Sequence, residues 1–208
     1  MRLAFFASGG GSNVQAILDA IDTHQLDAEP VLLISDRPGC GALSRASTRG
    51  LPTVVMPPKD YPDESAFGDA LLTTLRQLDV DTLALAGYLK KIPRDVVQAF
   101  SGRILNVHPS LLPAFGGPGF YGRRVHQAVL NAGCRVSGAT VHLVDAEYDT
   151  GPILLQGCVP VEESDTPESL AARVLSVEHS LFPRALDLLA ADRIQIDGRR
   201  ARILPLPS

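Results

Sequence analysis

The sequence predicts an α/β fold: a mostly parallel central sheet flanked by helices, with a mixed C-terminal part. Three observations carry this. Short apolar runs recur through the first half, at 3–7, 31–34 and 83–86, and such runs suit parallel strands covered on both faces. Stretches of helical apolar period separate them, as in Val14, Ile17, Leu18 and Ile21. Glycine, proline and aspartate clusters punctuate the alternation, the pattern of an α/β chain.

The elements follow in order. A strand over 2–7 turns at Ser8-Gly9-Gly10-Gly11-Ser12-Asn13 into a helix over 13–23. A strand over 30–34, a turn at 35–39, a helix over 42–49 and a strand over 53–56 come next. After the proline-rich loop 57–62, a helix over 64–78 leads to strands over 82–86 and 103–107. The second half opens with a glycine-rich stretch at 114–122 and a helix over 123–130. Strands over 137–144 and 153–161 flank an acidic loop. Thr166-Pro167 starts a helix to about 189, Thr as N-cap and Pro in the first helical position. Strands over 193–196 and 201–204 flank Asp197-Gly198, a hairpin turn. With 208 residues and no linker composition, the chain reads as one domain.

Composition narrows the function. A net charge of -4 gives no bulk electrostatic reason to bind nucleic acid or an anionic membrane. No apolar stretch is long enough to span a bilayer, and the apolar N-terminus is too short for a signal peptide. Cys40, Cys134 and Cys158 are an odd number with no Cys-x-x-Cys, so neither a disulfide framework nor a metal site is expected, and a reducing cytoplasm is the simplest home.

Gly9, Gly10 and Gly11 lie between a strand and a helix, where backbone amides and the helix N-terminus favour an anion. Ser12 and Asn13 add donors. A phosphate site is favoured over a plain tight turn. Val14 stands where a dinucleotide fingerprint needs its third glycine, although Asp36 could mimic the ribose-binding acid.

Asn106 and His108 are two apart on a strand and project together, at the carboxyl end where parallel sheets bind ligands. An amide donor beside an imidazole suits acyl transfer. A strand-end cap with no chemistry explains the spacing equally well. Ser110 lacks the glycine-flanked elbow of a hydrolase nucleophile. Asp145, Glu147 and Asp149 read, on spacing alone, as a solvated loop.

Asn106-Val107-His108-Pro109-Ser110-Leu111-Leu112-Pro113 and Asp149-Thr150-Gly151-Pro152-Ile153-Leu154-Leu155-Gln156, with Gly11-Ser12-Asn13, Ala86-Gly87-Tyr88 and Glu178-His179, resemble the folate-dependent phosphoribosylglycinamide formyltransferases over nearly the whole length. The resemblance implies a single Rossmann-like formyltransferase domain over 1–208, with a phosphate-binding half at 1–110 and a folate-binding and C-terminal half at 111–208. It implies transfer of a formyl group from 10-formyltetrahydrofolate to the amine of 5'-phosphoribosylglycinamide in purine biosynthesis. Asn106 and protonated His108 would stabilise a tetrahedral intermediate, with Asp149 assisting. Gly11, Ser12, Asn13 and Glu178 would hold the ribonucleotide. Leu89, Lys90, Lys91, Ile92, Asn106 and Asp145, Ala146, Glu147, Tyr148, Asp149 would hold the folate. Small-molecule substrates, no metal, and a monomer or homodimer are the corresponding expectations.

Related methionyl-tRNA formyltransferases carry a further C-terminal domain and formyltetrahydrofolate hydrolases a further N-terminal one; neither is expected here. A non-catalytic nucleotide-binding module is the rival from another class. The chain departs from the family pattern at Glu64, where an Arg that helps hold the folate is common, and in the length of 114–122, a lid or a disordered segment. His24, His126, His142 and His179 are read as structural or surface residues.

Overall fold

The computed structural model describes residues 1–205. The chain divides into two compact units, Met1–Asn106 and Val107–Ser208. In the first, β1 (Arg2–Phe6), β2 (Glu29–Ser35), β3 (Thr53–Val55), β4 (Thr82–Leu85) and β5 (Ile104–His108, whose last two residues open the second unit) run in the order β3-β2-β1-β4-β5. Every pairing among these five is parallel.

Burial explains the parallel arrangement. Leu3, Phe5 and Phe6 on β1, Leu33 and Ile34 on β2 and Leu83 on β4 are wholly buried, as strands covered on both faces must be. Each such large side chain contributes roughly 1.5–3 kcal/mol of transfer free energy. The covering helices are α1 (Ser12–Asp22), α2 (Gly41–Thr48), α3 (Glu64–Gln77) and α4 (Arg94–Ala99). Helix α1 buries Val14, Ile17 and Leu18, and α3 buries Phe67, Leu71, Leu72 and Leu75. Asp63 starts α3 by accepting the Ala66 amide at 2.8 Å.

In the second unit, α5 (Arg123–Asn131) precedes the antiparallel pair β6 (Val136–Leu143) and β7 (Ile153–Pro160). Helix α6 (Pro167–Ala190) packs against α5, β6 and β7. The hairpin of β8 (Ile194–Asp197) and β9 (Arg200–Ile203) joins β7 through a single parallel bridge. This is the mixed C-terminal part. Thr166 and Ser169 form a reciprocal capping box at the start of α6, and Arg173 grips Asp165 at 2.8 and 2.9 Å just before it. Among the described residues no helix is long and apolar enough to cross a membrane.

Candidate active site

In the first unit the loops that follow β1 and β4 are tied together through Ser8. Its amide donates to the Gly87 carbonyl at 3.0 Å, and its hydroxyl accepts the Leu89 amide at 2.9 Å. Phe6 and Tyr88 meet edge to face beneath them. The segments expected to hold phosphate and folate are therefore fixed to each other.

The glycine loop is built as an open cradle. Gly11 has φ +75 and a Cβ there would lie 2.6 Å from the Ala42 backbone, so only glycine fits. Gly9 and Gly10 face open space. The Gly9 carbonyl accepts the Ala42 amide, and the Gly10 carbonyl accepts Arg45 Nε at 2.9 Å. Helix α1 starts at Gly11 with no side-chain cap and no acidic residue in its first turn. Its first-turn amides, with buried Asn13 and part-exposed Ser12, remain oriented for an anion.

Lys90 and Lys91 line a cavity of about 410 Å³ with Pro58, Lys59, Tyr61, Asp63, Glu64, Phe67 and Pro93. Tyr61 and Phe67 stack at a tilt with centroids 5.1 Å apart. Glu64 accepts the Arg94 amide at 3.3 Å, so this carboxylate is engaged at the start of α4. Ile92 is buried and Leu89 is exposed. Asn106 lies on β5 opposite Leu85 of β4.

In the second unit His108 and Asp149 come together. His108 Nδ1 lies 3.6 Å from Asp149 Oδ2, with both side chains almost buried. The other ring nitrogen, Nε2, donates to the Phe115 carbonyl at 2.8 Å, since a carbonyl can only accept. Asp149 Oδ2 also accepts the Gly117 amide at 2.9 Å. The glycine-rich segment is thus docked on the pair, and Phe115 packs edge to face on Phe120.

Asp145 organises the acidic loop, its Oδ1 accepting the Glu147 amide at 3.1 Å and the Thr150 hydroxyl at 2.6 Å. Ala146 is half-buried; Glu147 and Tyr148 are exposed. Glu178 is buried on α6, on the helix face of Val174 and Leu181.

Burial lowers the His108 pKa by more than Asp149 and the Phe115 carbonyl raise it, and His142 lowers it further. In the free protein these influences together favour the neutral imidazole. Burial also works to raise the Asp149 carboxyl. The His142 ring, the His108 charge and the Gly117 amide outweigh it and hold Asp149 below the usual carboxylate range.

Residues 1–186 match the family model described as "Formyl transferase". This chain belongs to the formyl transferase family. It is 47% identical to the chloroplastic phosphoribosylglycinamide formyltransferase of Arabidopsis thaliana, over 93% of this chain and 67% of that protein. It is 39% identical to the phosphoribosylglycinamide formyltransferase of Bacillus subtilis, over 90% of this chain and 94% of that one. A crystal structure of glycinamide ribonucleotide transformylase 1 from Symbiobacterium toebii superposes with a TM-score of 0.93 at 42% identity, covering 99% of this chain and 94% of that chain.

One residue of this formyl transferase escaped the sequence reading. His142, on β6, presents Nε2 to Asp149 Oδ1 at 3.6 Å. Its only sequence signal is its place just before the acidic loop.

Proposed function

We propose that the protein transfers the formyl group of 10-formyltetrahydrofolate to the amine of 5'-phosphoribosylglycinamide in purine biosynthesis, acting as a monomer or homodimer. The buried His108–Asp149 pair, in a chain 39% identical to a relative of that name across 94% of its length, carries the reading. The three cysteines are free thiols, which suits a reducing cytoplasm.

The amine nitrogen attacks the formyl carbon, and the carbonyl π pair moves onto oxygen. Asn106 donates to that oxyanion. The attacking nitrogen, now cationic, gives up a proton to the neutral His108, directly or through water ordered by Asp149. The imidazolium formed beside the Asp149 carboxylate stabilises the intermediate. It then returns the proton to the folate nitrogen as the carbon–nitrogen bond to folate breaks. The oxyanion re-forms the carbonyl, and the products are the N-formylated ribonucleotide and tetrahydrofolate. A ring that is neutral before reaction suits this cycle, because it begins as a base.

Gly11, Ser12 and Asn13 hold the ribonucleotide phosphate, and Glu178 its ribose or glycinamide end. Leu89–Ile92 and 145–149 hold the pterin. Lys59, Lys90 and Lys91 give the neighbouring cavity a cationic rim that suits the glutamate end of the folate, in place of the arginine that Glu64 replaces. The test is turnover of 10-formyltetrahydrofolate with 5'-phosphoribosylglycinamide, followed by folate absorbance. No turnover with the ribonucleotide, or turnover with water or aminoacylated tRNA instead, overturns the reading.

A further inference from the structure

The glycine loop between β1 and α1 rests on the start of α2, and two hydrogen bonds fix which way its peptides face. The Gly9 carbonyl accepts the Ala42 amide at 3.0 Å, and the Gly10 carbonyl accepts Arg45 Nε at 2.9 Å. The packing is close: a Cβ on Gly41 would lie 3.0 Å from the Gly10 carbonyl oxygen. Both peptides are trans, so each carbonyl and the N–H that follows it point in opposite directions. With both oxygens turned to α2, the Gly10 and Gly11 amides are turned away from it, side by side. Among the described residues neither amide donates to a protein acceptor. Successive amides turned to one side form an anion-binding concavity.

The two bonds differ in kind. Gly9 is held by backbone, so the Gly10 amide is aimed whatever side chain stands at 42. Gly10 is held by a side chain, and the direction of the Gly11 amide depends on it. Arg45 is exposed, yet its guanidinium is also placed from α1. Nη1 lies 3.4 Å from Gln15 Oε1, and the Gln15 amide donates to Asp19 Oδ1 at 2.8 Å. Asp19 in turn pairs with Arg49, just past the end of α2. The charge strengthens the grip, because a cationic donor polarises the peptide and makes its N–H a better donor.

We propose that Arg45 is a positioning residue for the phosphate of the ribonucleotide. It grips the Gly10 carbonyl from behind and so aims the Gly11 amide at the anion, without touching the anion itself. The role rests on the reading of the glycine loop as the phosphate site of the formyl transfer.

Three variants separate the bond from the charge. Arg45→Met keeps the apolar stem and removes both. Arg45→Gln keeps a neutral donor, since its Nε2 lies as many bonds from Cα as arginine Nε does. Arg45→Lys keeps the charge on a nitrogen one bond further out. In turnover, Arg45→Met raises KM for the ribonucleotide about three- to tenfold, the change that one ordinary hydrogen bond makes in an equilibrium. Its kcat and its KM for the folate stay the same, and Arg45→Gln recovers most of the lost affinity. In nitrogen–proton NMR, inorganic phosphate moves the Gly10 and Gly11 amide signals of the wild type. Arg45→Met keeps the Gly10 response and loses most of the Gly11 response.

An unchanged ribonucleotide KM in Arg45→Met overturns the proposal. So does a loss that Lys relieves and Gln does not, which makes charge the cause. Equal weakening of both amide responses with a lower urea midpoint also overturns it, because the role is then structural. A wild type inactive on the ribonucleotide overturns the functional reading, and the phosphate titration alone then decides this role. An active wild type whose Gly10 and Gly11 signals ignore inorganic phosphate overturns this role alone.

Discussion

The Phe115 carbonyl holds His108 Nε2 at 2.8 Å, so the ring nitrogen that faces away from Asp149 is occupied in the free protein. Two residues later, the Gly117 amide holds Asp149. Gly116 stands between these bonds in a tight place: a Cβ would lie 2.5 Å from the tip of the Leu112 side chain, which would have to turn aside, and 3.3 Å from Asp149 Cβ. Gly116→Ala is expected to turn the Leu112 side chain aside and to loosen the segment against Asp149. Overpacking of this kind costs about 1–3 kcal/mol, measurable as a lower urea midpoint. The His108 midpoint should fall as well, because the Phe115 carbonyl supports the charged ring. An alanine variant with wild-type stability and an unmoved His108 would show that the segment does not depend on this fit.

Removing either member of the buried pair should separate chemistry from binding. His108→Ala deletes the proton carrier, and Asp149→Asn removes the charge beside it while keeping the shape. Each is expected to lower kcat by about 10²- to 10⁴-fold, the range for a positioned proton-transfer group. The ribonucleotide phosphate should bind as before, because the glycine loop follows β1 in the other unit. Calorimetric titration with the ribonucleotide checks this. Loss of binding in both variants would assign the pair a structural role instead.

Much of the fold was legible because it rests on local signals. The apolar run of β1 and the Thr166-Pro167 start of α6 lie within a residue or two of their expected places. Helix α4 was not expected: it has six residues, follows Pro93 and buries only Val96, too short to show a helical period. Asn106 and His108 could be paired from strand alternation. Asp149 could not, since its approach to His108 depends on a turn that presses on Leu143, and only family resemblance pointed to it. His142 was unreadable for the same reason, because a register shift decides where its ring points. The aromatic pair Tyr61 and Phe67 lies under what reads as a plain proline loop, part of which winds into a short 3-10 turn at Pro58–Asp60.

The three glycines of the first loop should respond differently to one methyl group. Gly11→Ala combines a left-handed backbone with a contact of 2.6 Å to Ala42, and should cost more than about 1 kcal/mol of stability. Gly9→Ala and Gly10→Ala point into open space, so their urea midpoints should stay near wild type, within about 0.5 kcal/mol. Their methyl groups then stand where a phosphate approaches. The expected result is a raised KM for the ribonucleotide with an unchanged KM for the folate. A normal ribonucleotide KM in both would place the phosphate elsewhere.

Stability should fall as the solution is acidified, and the onset identifies the groups responsible. His108 and His126 are both lowered by burial, and His126 also by its neighbour His108. His126 Nδ1 is buried without a hydrogen-bond partner. In the unfolded chain each ring binds a proton near its ordinary value of about 6.5. The folded protein resists that proton, so the unfolded state binds more and stability drops as pH falls through about 6.5 towards the lower folded values. Each histidine contributes a slope of at most about 1.4 kcal/mol per pH unit in that window. Asp149, also lowered, keeps its contribution until pH falls below about 3.9, and so cannot explain an earlier onset. Urea midpoints compared at about pH 7.5 and about pH 5.5 should show the loss. His126→Phe, which removes one of the two resisted protons, should flatten it. An identical slope in His126→Phe would assign the acid sensitivity to another group.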